Sequence, residues 1–109
     1  MNIYETLRFA VLSKKPCKIS KAGEPERKVC PYIIGKSREG EASVLYYQYE
    51  GHSSRGLQEE GSSANWRCNR VSGIASAEII DEPWRQPIWK PKGRGTCIVS
   101  IDAEVKGYY

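Results

Sequence analysis

Asn65-Trp66-Arg67-Cys68-Asn69-Arg70-Val71-Ser72-Gly73-Ile74 reads with a period of two. Trp66, Cys68 and Arg70 share one side of an extended chain, and Arg67, Asn69 and Val71 share the other. An aromatic ring and a thiol on one side, with cations among the rest, predict a strand that is half buried. Ser72-Gly73 then breaks the run, and Ile74 to Ile80 resumes it as a second strand. The pattern is strand, tight corner, strand, with Arg67 and Arg70 held on rigid backbone. Such a unit is expected at the functional face of a small β-barrel.

Working outward, Ala42 to Tyr49 is the clearest strand, rich in Val, Leu and Tyr, with apolar bulk on both faces as in a central strand. Before it, Lys36-Ser37-Arg38-Glu39-Gly40 is a charged hairpin turn, and Ile33-Ile34-Gly35 is a further extended segment. Glu26 to Tyr32 is another strand. Pro31 cannot donate to a ladder, so that strand is expected to end, bulge or lie on an edge there. Cys17 to Ser20 is a short strand, followed by a turn over Lys21-Ala22-Gly23-Glu24-Pro25. At the start of the chain, Asn2 with Glu5 has capping-box spacing, and Ile3, Leu7, Ala10 and Val11 recur with helical period. A packing helix is expected from Ile3 to about Leu12, with Lys14 and Lys15 favouring its C-terminal end and Pro16 preventing continuation.

After the strongest strand, Glu50 to Ala64 is a polar loop with four serines, too long for a plain hairpin. It holds the single histidine, His52, which has no acidic or thiol partner at catalytic spacing and reads as solvated. Asp81-Glu82-Pro83 ends the sheet. The run from Trp84 to Gly95 interleaves four cations with two tryptophans, and Cys97 to Ile101 is a closing strand. One domain over 1–109 is expected, with a packing helix at 1–15, a barrel core at 16–81 and a basic Trp/Pro/Gly-rich tail with the last strand at 82–109.

The composition narrows the classes. Seventeen cations against thirteen anions give a formal charge of +4, which permits an anionic partner without demanding one. Hydrophobic residues are 39% of the chain, and no apolar run approaches a membrane span, so no membrane partner is expected. The start Met-Asn-Ile-Tyr-Glu-Thr lacks the pattern of a secretion signal, and the expected compartment is the cytoplasm. There all four cysteines, Cys17, Cys30, Cys68 and Cys97, are expected reduced. Cys30 and Cys68 read as small core hydrophobes. No two cysteines have C-x-x-C spacing, so no metal site and no cofactor are expected. No nucleophile–base pair, carboxylate dyad or phosphate loop stands out, and no enzyme is expected.

With that strand order in place, the run from Ala10 to Trp84 resembles a WYL domain, and more closely the small stand-alone WYL-like proteins of bacteria. The likeness is carried by Arg27-Lys28-Val29-Cys30-Pro31, by the Gly-containing turn and strand from Lys36 to Tyr49, and by Trp66 to Ile80, with Pro87 to Val105 as the tail and last strand. At the Trp-Tyr-Leu position the chain reads Ser43-Val44-Leu45. No helix-turn-helix is read, so a stand-alone module is expected. The resemblance implies a mainly β fold, a small SH3-like (Sm-like) β-barrel with a short N-terminal α-helix and a C-terminal strand. It also implies ligand sensing or binding tied to nucleic acids or nucleotides, often in defence or DNA-damage regulation, and carries Arg27, Arg67 and Arg70 over as the basic residues.

Two functions remain open. The first is a non-enzymatic regulatory or accessory module for single-stranded nucleic acid or a nucleotide. Arg27, Arg67 and Arg70 would hold phosphates, Trp66 with Tyr47 (or Tyr46) would offer a stacking surface, and Trp84, Arg85, Trp89, Lys90, Lys92 and Arg94 would extend the track. Trp66 reads equally as core packing. The second is a protein-interaction module or homodimerising accessory subunit, using open strand edges and the Trp/Pro-rich tail.

Overall fold

The computed structural model describes residues 1–51, 65–87 and 97–106. It contains helix α1 (Ile3–Ser13) and strands β1 (Cys17–Lys21), β2 (Arg27–Lys36), β3 (Ala42–Gly51), β4 (Trp66–Arg70), β5 (Ile74–Ile79) and β6 (Ser100–Glu104). A single 3₁₀ turn, Val71–Gly73, joins β4 to β5.

The expected capping box starts α1. The Glu5 amide donates to Asn2 Oδ1 at 2.8 Å, and the Asn2 amide donates to Glu5 Oε1 at 3.2 Å. The helix ends with Lys14 in the left-handed region at φ 52°, one residue beyond the expected end plus its cap. Thr6, Leu7, Ala10 and Val11 form the buried stripe, which packs on β2, β5 and β6.

The strands form one antiparallel sheet in the order β4-β3-β2-β1-β5, and β6 pairs with β2 beside that path. β2 and β3 are its centre. Residues 43–48 of β3 are all buried, as bulk on both faces predicts. The strand expected from Glu26 to Tyr32 and the extended segment expected at Ile33-Ile34-Gly35 are one continuous strand. On one edge, β2 pairs with β1 as far as Val29 and with β6 from Ile33 onward. Pro31 stands in the gap between those partners, where no ladder donor is required, and the register shifts between Pro31 and Ile33. Gly35 permits the close approach of β6: a Cβ there would stand 2.0 Å from the Ser100 carbonyl oxygen.

The expectation of a closed barrel is not met among the described residues. β4 and β5 are the two ends of the strand path, and no ladder joins them. They are nevertheless consecutive in sequence, linked only by Val71–Gly73, so the sheet curls until its ends meet at that corner. The last strand begins at Ser100 rather than Cys97.

The core contains Leu7, Val11, Ile19, Val29, Tyr32, Ile33, Ile34, Val44, Tyr46 and Tyr47. The segment after β5 folds back onto it. The Trp84 ring lies tilted against Tyr32 with centroids 4.9 Å apart, and the Tyr32 hydroxyl donates to the Arg85 carbonyl at 2.5 Å. The Arg85 guanidinium lies 4.6 Å from the centre of the Tyr49 ring. No helix among the described residues is long and apolar enough to cross a membrane.

The cysteines divide differently from the expectation. Cys17 and Cys30 are free and fully buried. Cys68 is not a reduced core thiol: it forms a disulfide with Cys97, their Cα atoms 6.5 Å apart. The reason is topological. β4 is an edge strand and Cys68 is exposed on it, while the chain approaching β6 brings Cys97 alongside.

Candidate anion-binding site

The residues chosen from sequence do not gather on one surface. Arg67 pairs across the sheet with Tyr46, whereas Arg70 pairs with Ser43, and their odd spacing sends them to opposite faces. Arg67 Nη1 donates to the Trp66 carbonyl at 3.2 Å. Arg70 Nε donates to Glu41 Oε2 at 2.7 Å in an exposed ion pair. Arg27 is a core residue, 5% exposed, and its Nη2 is held by Glu24 Oε2 at 3.1 Å. A buried guanidinium already paired with a carboxylate offers no surface to a phosphate.

Tyr47 is buried, so it supplies no stacking platform. Trp66 is partly buried and meets Tyr32 edge-on at 4.8 Å and Tyr47 at 5.6 Å, an aromatic cluster that accounts for it as packing. Trp89, Lys90, Lys92 and Arg94 lie outside the described residues, as does His52.

Around Tyr46 the sheet holds a buried polar group. The Tyr46 hydroxyl donates to Asn69 Oδ1. Burial pushes this phenol up, and the charges of Arg27 and Arg67 pull the other way. Below the segment after β5, Lys28 Nζ donates to Glu82 at 2.7 Å and to Glu50 at 2.9 Å, and the Tyr49 hydroxyl donates to Glu82 at 3.0 Å. The bond from Lys28 holds the Glu82 carboxyl below its ordinary range. The Lys28, Glu50, Glu82 and Tyr49 set is internally matched and reads as structural.

A concave feature lies at the C-terminal end of β4. A cavity of about 490 Å³ is lined by Ser37, Arg38 and Glu39 of the β2–β3 turn, by Ser43, by Cys68, Asn69 and Arg70 of β4, and by Cys97. The turn is built by the Ser37 and Glu41 backbones, with the Ser37 amide donating to the Glu41 carbonyl at 2.8 Å and the Gly40 amide to the Ser37 carbonyl at 2.9 Å. Gly40 takes φ +82°, which lets the hairpin reverse over the cavity. Arg38 is exposed and makes no ion pair among the described residues. Among the described residues, Arg70 is bonded to Glu41 alone, in an exposed pair. Two guanidinium forks, two hydroxyls and an amide thus stand around one opening, with the Glu39 carboxylate as the opposing charge.

Arg70 is legible in the sequence as a cation on a strand, whereas Arg38 is not, because a cation in a charged hairpin turn has no signal that separates it from ordinary surface. No three or more His, Cys, Asp or Glu side chains are grouped to hold a metal among the described residues. Comparison with protein-family models, curated proteins and solved structures finds no match to this chain.

Proposed function

We propose that the chain is a non-enzymatic binding module for a phosphate-bearing ligand, a nucleotide or a length of single-stranded nucleic acid, and works as a regulatory or accessory protein. The observation that carries this is the polar cavity with Arg38 and Arg70 at its wall. Arginine forks match phosphate oxygens in pairs. The exposed Arg70–Glu41 pair contributes little on its own, so exchanging Glu41 for a phosphate costs little. The volume is in the range of small-molecule sites.

For the fold we infer the SH3-like strand arrangement of the WYL type, left open between β4 and β5. Its support is the strand order, with end strands β4 and β5 joined by one 3₁₀ turn, and the short helix preceding β1.

The test is fluorescence polarisation of a labelled single-stranded oligonucleotide and a labelled nucleotide, at low and moderate salt. Arg38→Ala/Arg70→Ala is measured beside Arg67→Ala. Saturable binding that weakens as salt rises, falls at least about tenfold in the double variant and survives Arg67→Ala is expected. Binding indifferent to Arg38 and Arg70 overturns the site.

A second reading, a protein-interaction or homodimerising module, is favoured by the exposed Phe9 and Leu12 on α1 and Val99 and Ile101 near β6. Self-association that is indifferent to salt in sedimentation would select it.

A further inference from the structure

Both sulfur-bearing residues of the disulfide line the cavity, and nothing in the binding reading uses them. Cys68 is exposed and Cys97 partly so. Access to the sulfur is the first requirement for thiol–disulfide exchange. The cavity lining also carries both signs of charge, Arg38 and Arg70 with Glu39, beside Ser37 and Ser43, and Arg70 is bonded to Glu41 at its rim. A ligand that suits such a wall carries carboxylates and an ammonium together.

We propose that the Cys68–Cys97 disulfide and the cavity beside it form an exchange site for a small zwitterionic thiol of the glutathione class. Its carboxylates meet Arg38 and Arg70, its ammonium meets Glu39, and its thiolate faces Cys68. The thiolate attacks Sγ of Cys68, the more exposed of the two residues. A bond forms between the small thiol and Cys68, the Cys68–Cys97 bond breaks, and the electron pair leaves on Cys97 as a thiolate. A second small thiolate then attacks the small-molecule sulfur of this mixed disulfide, releasing Cys68 as a thiolate. The two small thiols are oxidised to their disulfide, the protein gains two electrons, and the protons of the two small thiols end on Cys68 and Cys97.

The second small thiol is needed because the protein thiol in reach, Cys97, only reverses the first step when it attacks Cys68 again. Cys17 and Cys30 are fully buried and do not line the cavity, and burial pushes both thiols up to about 12. One couple is therefore exchangeable and two cysteines are inert. The proposal shares the cavity with the binding reading but rests on the disulfide, so it stands if no phosphate-bearing ligand binds.

The test uses the full oxidised chain with glutathione and, separately, with neutral 2-mercaptoethanol, each quenched by alkylation and read by mass spectrometry. Glutathione is expected to open the bond through an adduct on Cys68, with Cys17 and Cys30 unlabelled in the folded protein. In Arg38→Ala/Arg70→Ala the glutathione rate should fall about fivefold while the mercaptoethanol rate stays within about twofold. Added salt on the unaltered chain should reproduce that difference without any substitution. Equal effects on the two thiols, an adduct elsewhere than Cys68, or no Cys68–Cys97 bond in the oxidised protein would overturn the proposal. Failure of oligonucleotide and nucleotide binding would leave these rates unchanged and count only against the binding reading.

Discussion

Arg27 carries its charge into the core, and its surroundings show what that requires. Its Nη2 bonds Glu24, its Nε is buried without a hydrogen-bond partner, and the Tyr46 phenol lies close enough to feel its field. A buried ion pair contributes little net stability against an apolar replacement, but breaking one strands a charge. Glu24 is only partly covered and can turn to water, so the penalty falls mainly on lost packing and on the emptied space. Arg27→Ala is expected to cost about 3 kcal/mol in urea denaturation, and Arg27→Met about 1 kcal/mol, because its side chain refills the volume. Oligonucleotide binding by folded Arg27→Met should match the unaltered chain. Lost binding at full stability would return Arg27 to the ligand site. The sequence marked Arg27 as a cation on a strand and could do no more. Whether an alternating position faces water or core depends on what covers the sheet, which is a non-local fact. The same limit applies to Trp66, whose ring is covered by Tyr32 and Tyr47 from two other strands, and to Cys68, whose partner lies 29 residues away in sequence.

At the scale of elements, local signals were sufficient where the deciding contacts are local. Asn2, Glu5 and Pro16 bracket α1, and the Val, Leu and Tyr content of β3 marks a central strand. How α1 docks was not legible, because it depends on β6. The Tyr4 hydroxyl donates to Asp102 Oδ2 at 2.6 Å, and Arg8 Nε donates to the same oxygen at 3.1 Å. The bond from Tyr4, aided by the charge of Arg8, holds the Asp102 carboxyl below its ordinary range. Burial, then Asp102 itself, pushes the Tyr4 phenol up to about 12. The sign follows from linkage. A carboxyl whose folded pKa is depressed contributes stability that is present above its unfolded value, about 3.9, and is lost as pH falls through the lower folded value. A phenol raised on folding contributes below its unfolded value, about 10, and loses that contribution as pH rises through the folded one. Asp102→Asn should therefore cost about 1 kcal/mol or less at pH 7, given the exposure of the pair, and nothing at pH values below the folded titration. Denaturation of both proteins across the acid range checks this. A difference that persists unchanged into strong acid would mean that packing, not the charge, ties α1 to β6.

Among the described residues the sheet curls so far that its end strands, β4 and β5, meet at Val71–Gly73, yet no ladder fastens them. A chain of 109 residues has a small core and little margin, so a covalent tie across such a fold changes its stability substantially. The Cys68–Cys97 bond fastens edge strand β4 to the chain that enters β6, which itself is anchored to the far half of β2. Its sequence separation of 29 residues sets the entropy it removes from the unfolded chain, corresponding to about 3–4 kcal/mol. Spread over a domain of this size, that loss is expected to lower Tm by about 15 °C when the bond is opened. Calorimetry with and without a phosphine reductant reads the shift directly, and Cys68→Ser/Cys97→Ser should melt at the reduced temperature in both buffers. The variant separates the tie from any other effect of the reductant, because Cys17 and Cys30 are free in either case. A melting temperature indifferent to reductant would mean that the two segments stay together by packing alone. β4 would then be held through β3, with the disulfide adding chemistry at the cavity but no stability to the fold.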